Sequence, residues 1–107
     1  MTRVAVAGAV VKFICTLDET CVNRSFQWSH YSAFDTRPVT LYNGRRLNPM
    51  LESSGVSVEE DRANGRSVLT IPRATLEDSG RFHCHVTGLK HCQMNFQLTV
   101  TGNICVI

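Results

Sequence analysis

The chain has 107 residues, 43% of them hydrophobic, and a formal net charge of +2, which fits one ordinary globular domain and excludes a disordered polar chain. That charge is too weak, and the largest basic cluster, Arg45-Arg46, too small, for a nucleic-acid surface. Five cysteines in so short a chain point to an oxidising compartment and, being odd in number, leave one unpaired; no run approaches the ~20 apolar residues of a membrane helix.

Val4 to Val6 read as an edge strand broken at Gly8. The apolar run from Val4 to Val11 behind Arg3 imitates a short signal peptide, but cleavage there would remove the strand leading into Cys15. The start is therefore read as strand, in a piece of an ectodomain with an added Met1; signal peptide and membrane anchor would lie outside it. Val11, Phe13 and Cys15 alternate along the next strand and share its inward face. A polar loop from Leu17 to Ser25 carries Cys21 and Asn23. Phe26 to Tyr31 follows as a strand, with Phe26 and Trp28 inward and Gln27, Ser29 and Tyr31 outward.

Ala33 to Arg37 is a turn, and Pro38 marks the entry to the strand Val39 to Tyr42. Asn43-Gly44 is a strong hairpin signal that predicts a return through Arg45, Arg46 and Leu47 as a short edge strand. Asn48-Pro49 closes it, and Ser53 to Gly55 is a loop. Val56 to Val58 reads as a strand, Ala63 to Gly65 as a turn, and Ser67 to Ile71 as a strand with Leu69 and Ile71 inward. Pro72 ends it, Leu76 caps the core, and Asp78-Ser79-Gly80 is a polar turn. The strands Arg81 to Thr87 and Asn95 to Thr101 complete the chain, burying Phe82, Cys84 and Val86 on one and Phe96, Leu98 and Val100 on the other. Short strands punctuated by turns, with no helical period, mean an all-β sandwich.

Cys15, Trp28 and Cys84, with Leu69-Thr70-Ile71 and the stretch Asp78-Ser79-Gly80-Arg81-Phe82-His83-Cys84, carry a resemblance to the immunoglobulin superfamily. It runs from about Val4 to Val100. The resemblance implies an all-β, immunoglobulin-like two-sheet Greek-key sandwich over residues 1–102, with residues 103–107 a tail or the start of a linker. The stretch from Trp28 to Val68 has room for the extra hairpin of variable-type (V-set) domains. The intermediate (I-set) type is the rival, because Gly102 matches poorly the Gly-x-Gly bulge of antibody strands. Phe82 departs from the family, which places Tyr there with its hydroxyl bonded to nearby backbone, and implies a looser corner.

In this fold Cys15 and Cys84 form the inter-sheet bridge, worth about 4 kcal/mol in the chain-entropy model. The loops bearing Cys21 and Cys92 lie side by side at one end of the sandwich, so a second bridge is expected there, leaving Cys105 over. Asn23-Arg24-Ser25 is an N-glycosylation acceptor pattern in a polar loop. His83 and His85 stand two apart on a strand, a spacing that suits two ligands of a zinc ion. No carboxylate or free thiolate stands near them in sequence, so they are read as surface histidines with no metal or other cofactor. A Cys–His nucleophile needs a free activated thiol, and four of the five are assigned to bridges; no glycine loop cradles a phosphate. The chain is not read as an enzyme.

The family resemblance implies an extracellular recognition module, cell-surface or secreted, that serves as a receptor, adhesion or immune-recognition domain. Its partner would be a protein ligand or co-receptor, or a second copy in a homodimer. The outer sheet face that commonly binds partners in this family would show Gln27, Ser29, Tyr31, Tyr42, Arg81, His83, His85, Asn95 and Gln97. The alternative is a structural spacer in a longer chain, cytosolic of the muscle type or extracellular.

Overall fold

The structure is a computed structural model that describes residues 1–102. Among the described residues, eight strands run in the order β1 (Thr2–Val6), β2 (Val11–Thr16), β3 (Phe26–Ser32), β4 (Val39–Tyr42), β5 (Ser57–Asp61), β6 (Arg66–Ile71), β7 (Gly80–Val86) and β8 (Gln93–Thr101). They form a five-stranded sheet, ordered β1-β8-β7-β3-β4, and a three-stranded sheet, ordered β2-β6-β5. The chain crosses between the sheets after β1, β2, β4 and β6, which is the two-sheet sandwich expected. β1 pairs with β8 in parallel, and all other pairs are antiparallel.

Period-two burial explains why these segments are strands. On β2, Val11, Phe13 and Cys15 are buried while Lys12, Ile14 and Thr16 are exposed. Phe82, Cys84 and Val86 on β7, and Phe96, Leu98 and Val100 on β8, close the core from the facing sheet. Phe13 meets Phe82 and Phe96 with ring centroids 5.0 and 4.9 Å apart, and Trp28 stacks on Phe96 at 5.8 Å. The Trp28 indole Nε1 donates to Ser67 Oγ across the sheets at 2.9 Å, both residues being 0% exposed. Cys15 and Cys84 are bridged beside them, with Cα atoms 6.4 Å apart.

The turn into β7 needs glycine. Gly80 has φ +132°, and a Cβ there would run into the Tyr31 carbonyl oxygen of the neighbouring strand. Phe82 has no hydroxyl to tie this corner, yet the corner is closed by other bonds. Asp78 Oδ2 accepts from Thr75 N at 2.8 Å, and Ser79 Oγ accepts from Val100 N at 2.9 Å. His30 lies flat on Phe82, with centroids 4.2 Å apart.

Three sequence expectations are corrected. The return from Asn43-Gly44 makes one bridge, Tyr42 to Leu47, instead of a strand. Asn43 Oδ1 accepts from the N–H groups of both Arg45 and Arg46, and Asn48 then caps a 3-10 turn at Pro49–Leu51. These local bonds, and a proline with no N–H, take the backbone away from the ladder. Leu76 does not cap the core: it opens a 3-10 turn and is 48% exposed, while Ala74, 2% exposed, fills that position. The strand expected at Val56 to Val58 lies at Ser57–Asp61, because Glu59 to Asp61 keep pairing with Ser67, Val68 and Arg66 of β6. The tail expected at residues 103–107, with Cys105, lies outside the described residues.

Candidate recognition face

The outer surface of the five-stranded sheet is built by register. Across β3 and β7, Gln27 faces His85, Ser29 faces His83 and Tyr31 faces Arg81. Across β7 and β8, Arg81 faces Gln97, His83 faces Asn95 and His85 faces Gln93. Eight of the nine side chains expected on this face are therefore together on it. Their mutual contacts fix them. The Arg81 guanidinium lies 4.1 Å over the Tyr31 ring, and its Nη1 donates to Asn95 Oδ1 at 2.8 Å. His83 Nε2 pairs with Gln93 Oε1 at 2.7 Å, and Gln27 Nε2 donates to Thr87 Oγ1 at 2.7 Å.

Tyr42 does not join them. β3 pairs Trp28 with Tyr42 but Ser29 with Thr40, so Leu41 is the extra residue of a bulge. The bulge turns Tyr42 to the core side, where its ring packs on the core margin beside Glu60 and Arg62. Burial first, and then the Glu60 carboxylate, push its phenol above the ordinary value. Thr40 takes the outward place.

The rings of His83 and His85 stack with centroids 4.8 Å apart. Burial, followed by the neighbouring His83, holds His85 below the ordinary imidazole value. Its Nδ1 is buried with no hydrogen-bond partner. Beside the pair opens a groove of about 410 Å³, with Leu89 as its apolar part and Lys90 and Gln93 at its polar edge.

At the tip next to the groove, Cys21 and Cys92 are bridged, both 0% exposed, with Cα atoms 5.9 Å apart. A hydrogen-bonded chain reinforces this link. Thr20 Oγ1 donates to Asp18 and lies 2.7 Å from His91 Nε2, joining the two loops a second time. The Thr20 hydroxyl and then its backbone N–H hold the Asp18 carboxyl below its ordinary value. Cys21, Cys92 and His91 place three metal-type donors within 4.8 Å of one another, but both sulfurs are committed to the bridge. Asn23 is exposed on the same tip in a left-handed conformation, φ 61°, with its N–H bonded to Arg62 O at 2.7 Å.

Two features escaped the sequence reading. His30 follows Phe26 and Trp28 at spacing two and so faces inward; the same alternation could have found it. The chain Asp18–Thr20–His91 joins residues 71 positions apart, and no local pattern signals it.

The model of the immunoglobulin V-set domain family matches residues 1–102. No curated protein matches the sequence. Among solved structures, the ZIG-8 IG1 homodimer is 20% identical, covering 95% of this chain and 79% of that one with a TM-score of 0.72. The RIG-5 IG1 homodimer is 18% identical, covering 94% and 89%, with a TM-score of 0.73. The first Ig domain of the mouse polymeric immunoglobulin receptor is 17% identical, covering 98% and 93%, with a TM-score of 0.76. At such identities the likeness is one of fold.

Proposed function

We propose that this chain, which belongs to the immunoglobulin V-set family, works as an extracellular recognition module, cell-surface or secreted, that binds a protein partner by its outer face and tip loops. The family is generally non-enzymatic, and function then rests on surface recognition. The observation that carries the reading is the prior ordering of the outer face. Tyr31, Arg81 and Asn95 already hold one another, and the adjoining tip is tied by a disulfide. Side chains and loops ordered before contact lose little entropy on binding. Two disulfides favour an oxidising compartment over the cytosolic spacer. Asn23, exposed on the tip, is read as a glycosylation site.

A second copy of the chain is one candidate partner, since ZIG-8 IG1 and RIG-5 IG1 are homodimers. The test is binding of the oxidised domain, displayed as a tetramer, to intact cells. Arg81→Glu or Tyr31→Ala should abolish binding, while Ile14→Lys on the opposite sheet should not. Equal binding by all three would remove the outer face from the reading. Titration of the native protein should find one free thiol; five would support the cytosolic spacer instead.

A further inference from the structure

The outer face of the five-stranded sheet carries no carboxylate among the described residues. The chain's nine acidic side chains lie elsewhere: in the β2–β3 and β3–β4 loops, the β4–β5 segment, strand β5 and the turn before β7. Along the centre of this face, β7 instead presents Arg81, His83 and His85 at alternate positions. Lys90, at the edge of the groove, extends the row toward the tip. The facing residues of β3 and β8 are amides and hydroxyls, and Tyr31 is the one other ionisable group among them.

We propose that this row receives an acidic protein surface, whose carboxylates seat along Arg81, His83, His85 and Lys90, and that the contact tightens as pH falls. The inference rests on the outer-face reading above and names the chemistry of its partner. Arg81 is held in place by Tyr31 and Asn95, and a guanidinium so held offers its remaining N–H groups to a carboxylate as a planar fork. The groove beside the histidines can take the methylenes of an acidic side chain against Leu89. His85 lines this groove, and its Nδ1 is the one buried side-chain polar atom without a partner among the described residues. A carboxylate brought close favours the imidazolium form, so binding takes up protons and strengthens toward acid pH. In the free protein His85 resists that proton, through burial and through His83, which leaves the uptake to the bound state.

The row is short and interleaved with amides, unlike the continuous positive surface that nucleic acid or an anionic membrane requires. A second copy docked by the same face across a two-fold axis would set the cationic rows near each other, and that contact would loosen in acid.

The experiment measures binding of a labelled peptide of about 20 residues, alternating Asp and Ser, by fluorescence anisotropy at fixed ionic strength. Affinity should rise about tenfold between about pH 7.5 and about pH 5.5. Arg81→Gln should weaken binding at both pH values, and the pair His83→Gln with His85→Gln should remove the pH dependence. Lys12→Gln, on the other sheet, should bind like the parent. Near-UV circular dichroism checks that each variant is folded. Binding that ignores pH, equal losses for Lys12→Gln and Arg81→Gln, or tighter binding of duplex DNA or phosphatidylserine vesicles than of the peptide would each overturn the proposal. If the peptide fails while cell binding persists and is lost in Arg81→Glu, the acidic partner is refuted and the recognition reading stands. If cell binding fails as well, both fall.

Discussion

Ser67→Ala tests how tightly the centre of the sandwich is sealed. The hydroxyl of Ser67 accepts the Trp28 indole N–H at 2.9 Å from the opposite sheet, and neither residue is exposed. Removing one oxygen changes the packed volume little, so the cost comes from leaving a buried donor unpaired, about 1–3 kcal/mol. Trp28→Ala removes the ring that stacks on Phe96 and should cost about 3–5 kcal/mol. Trp28→Phe combined with Ser67→Ala should cost less than the sum of the two, with a coupling of about 1 kcal/mol, because the orphaned donor is gone. Trp28 is the only tryptophan, so the urea melts are followed by far-UV circular dichroism with the disulfides intact. A loss under about 0.5 kcal/mol for Ser67→Ala, or strict additivity, would mean that water reaches the indole. A loss under about 1 kcal/mol for Trp28→Ala would show the ring to be peripheral.

Non-reducing peptide mapping should recover a fragment joining Cys21 to Cys92, and a fragment joining Cys21 to Cys105, or a free Cys92, would contradict the tip geometry. Should the domain dimerise by its outer face, Tyr31→Glu and His85→Glu should each shift the monomer–dimer balance in sedimentation; a dimer indifferent to both uses another surface. Gly80→Ala should cost at least about 2 kcal/mol, since the Tyr31 carbonyl blocks a side chain and φ is +132°; a near-native melt would show that the carbonyl yields. Burial, chiefly, holds His30 below its ordinary value of 6.5. The unfolded chain then binds more protons than the native one as pH falls through 6.5, so stability is full above that value and declines below it. His30→Phe should lessen the fall in melting temperature between about pH 7 and pH 5, with His85 supplying part of what remains, and an unchanged slope would clear His30 of the effect.

What the sequence revealed follows the range of its signals. Alternation is local and strong, so Val11 to Cys15, Phe82 to Val86 and Phe96 to Val100 could be read directly, and with them most of the outer face. The bridge Cys21–Cys92 was legible once the fold placed its two loops together. Tyr42 was misplaced because a bulge inserts one residue and reverses the alternation, and nothing in Leu41 or Tyr42 announces it. The strand expected at Arg45 to Leu47 failed because Asn43 and Asn48 spend their side chains on nearby backbone, a competition that a hairpin signal does not weigh. Ser67 and the Thr20–His91 contact depend on partners 39 and 71 residues away, distances over which only the folded chain decides.

The parallel pairing of β1 with β8 gives the molecule a mechanical character. Tension between the two ends would pull Thr2 and Thr101 away from each other along the strand axis, so the bonds from Thr2–Gln97 to Val6–Thr101 are loaded together in shear and cannot be unzipped one at a time. Once they part, the two disulfides set the limit of extension. Force entering at residue 1 reaches Cys15 and Cys21 and crosses to Cys84 and Cys92 through sulfur. The loop of residues 22–83 then bears no load and stays out of the extension, while each residue released on either side adds at most about 3.5 Å. Strands β3 to β6, and the start of β7, would keep their place on a stretched chain.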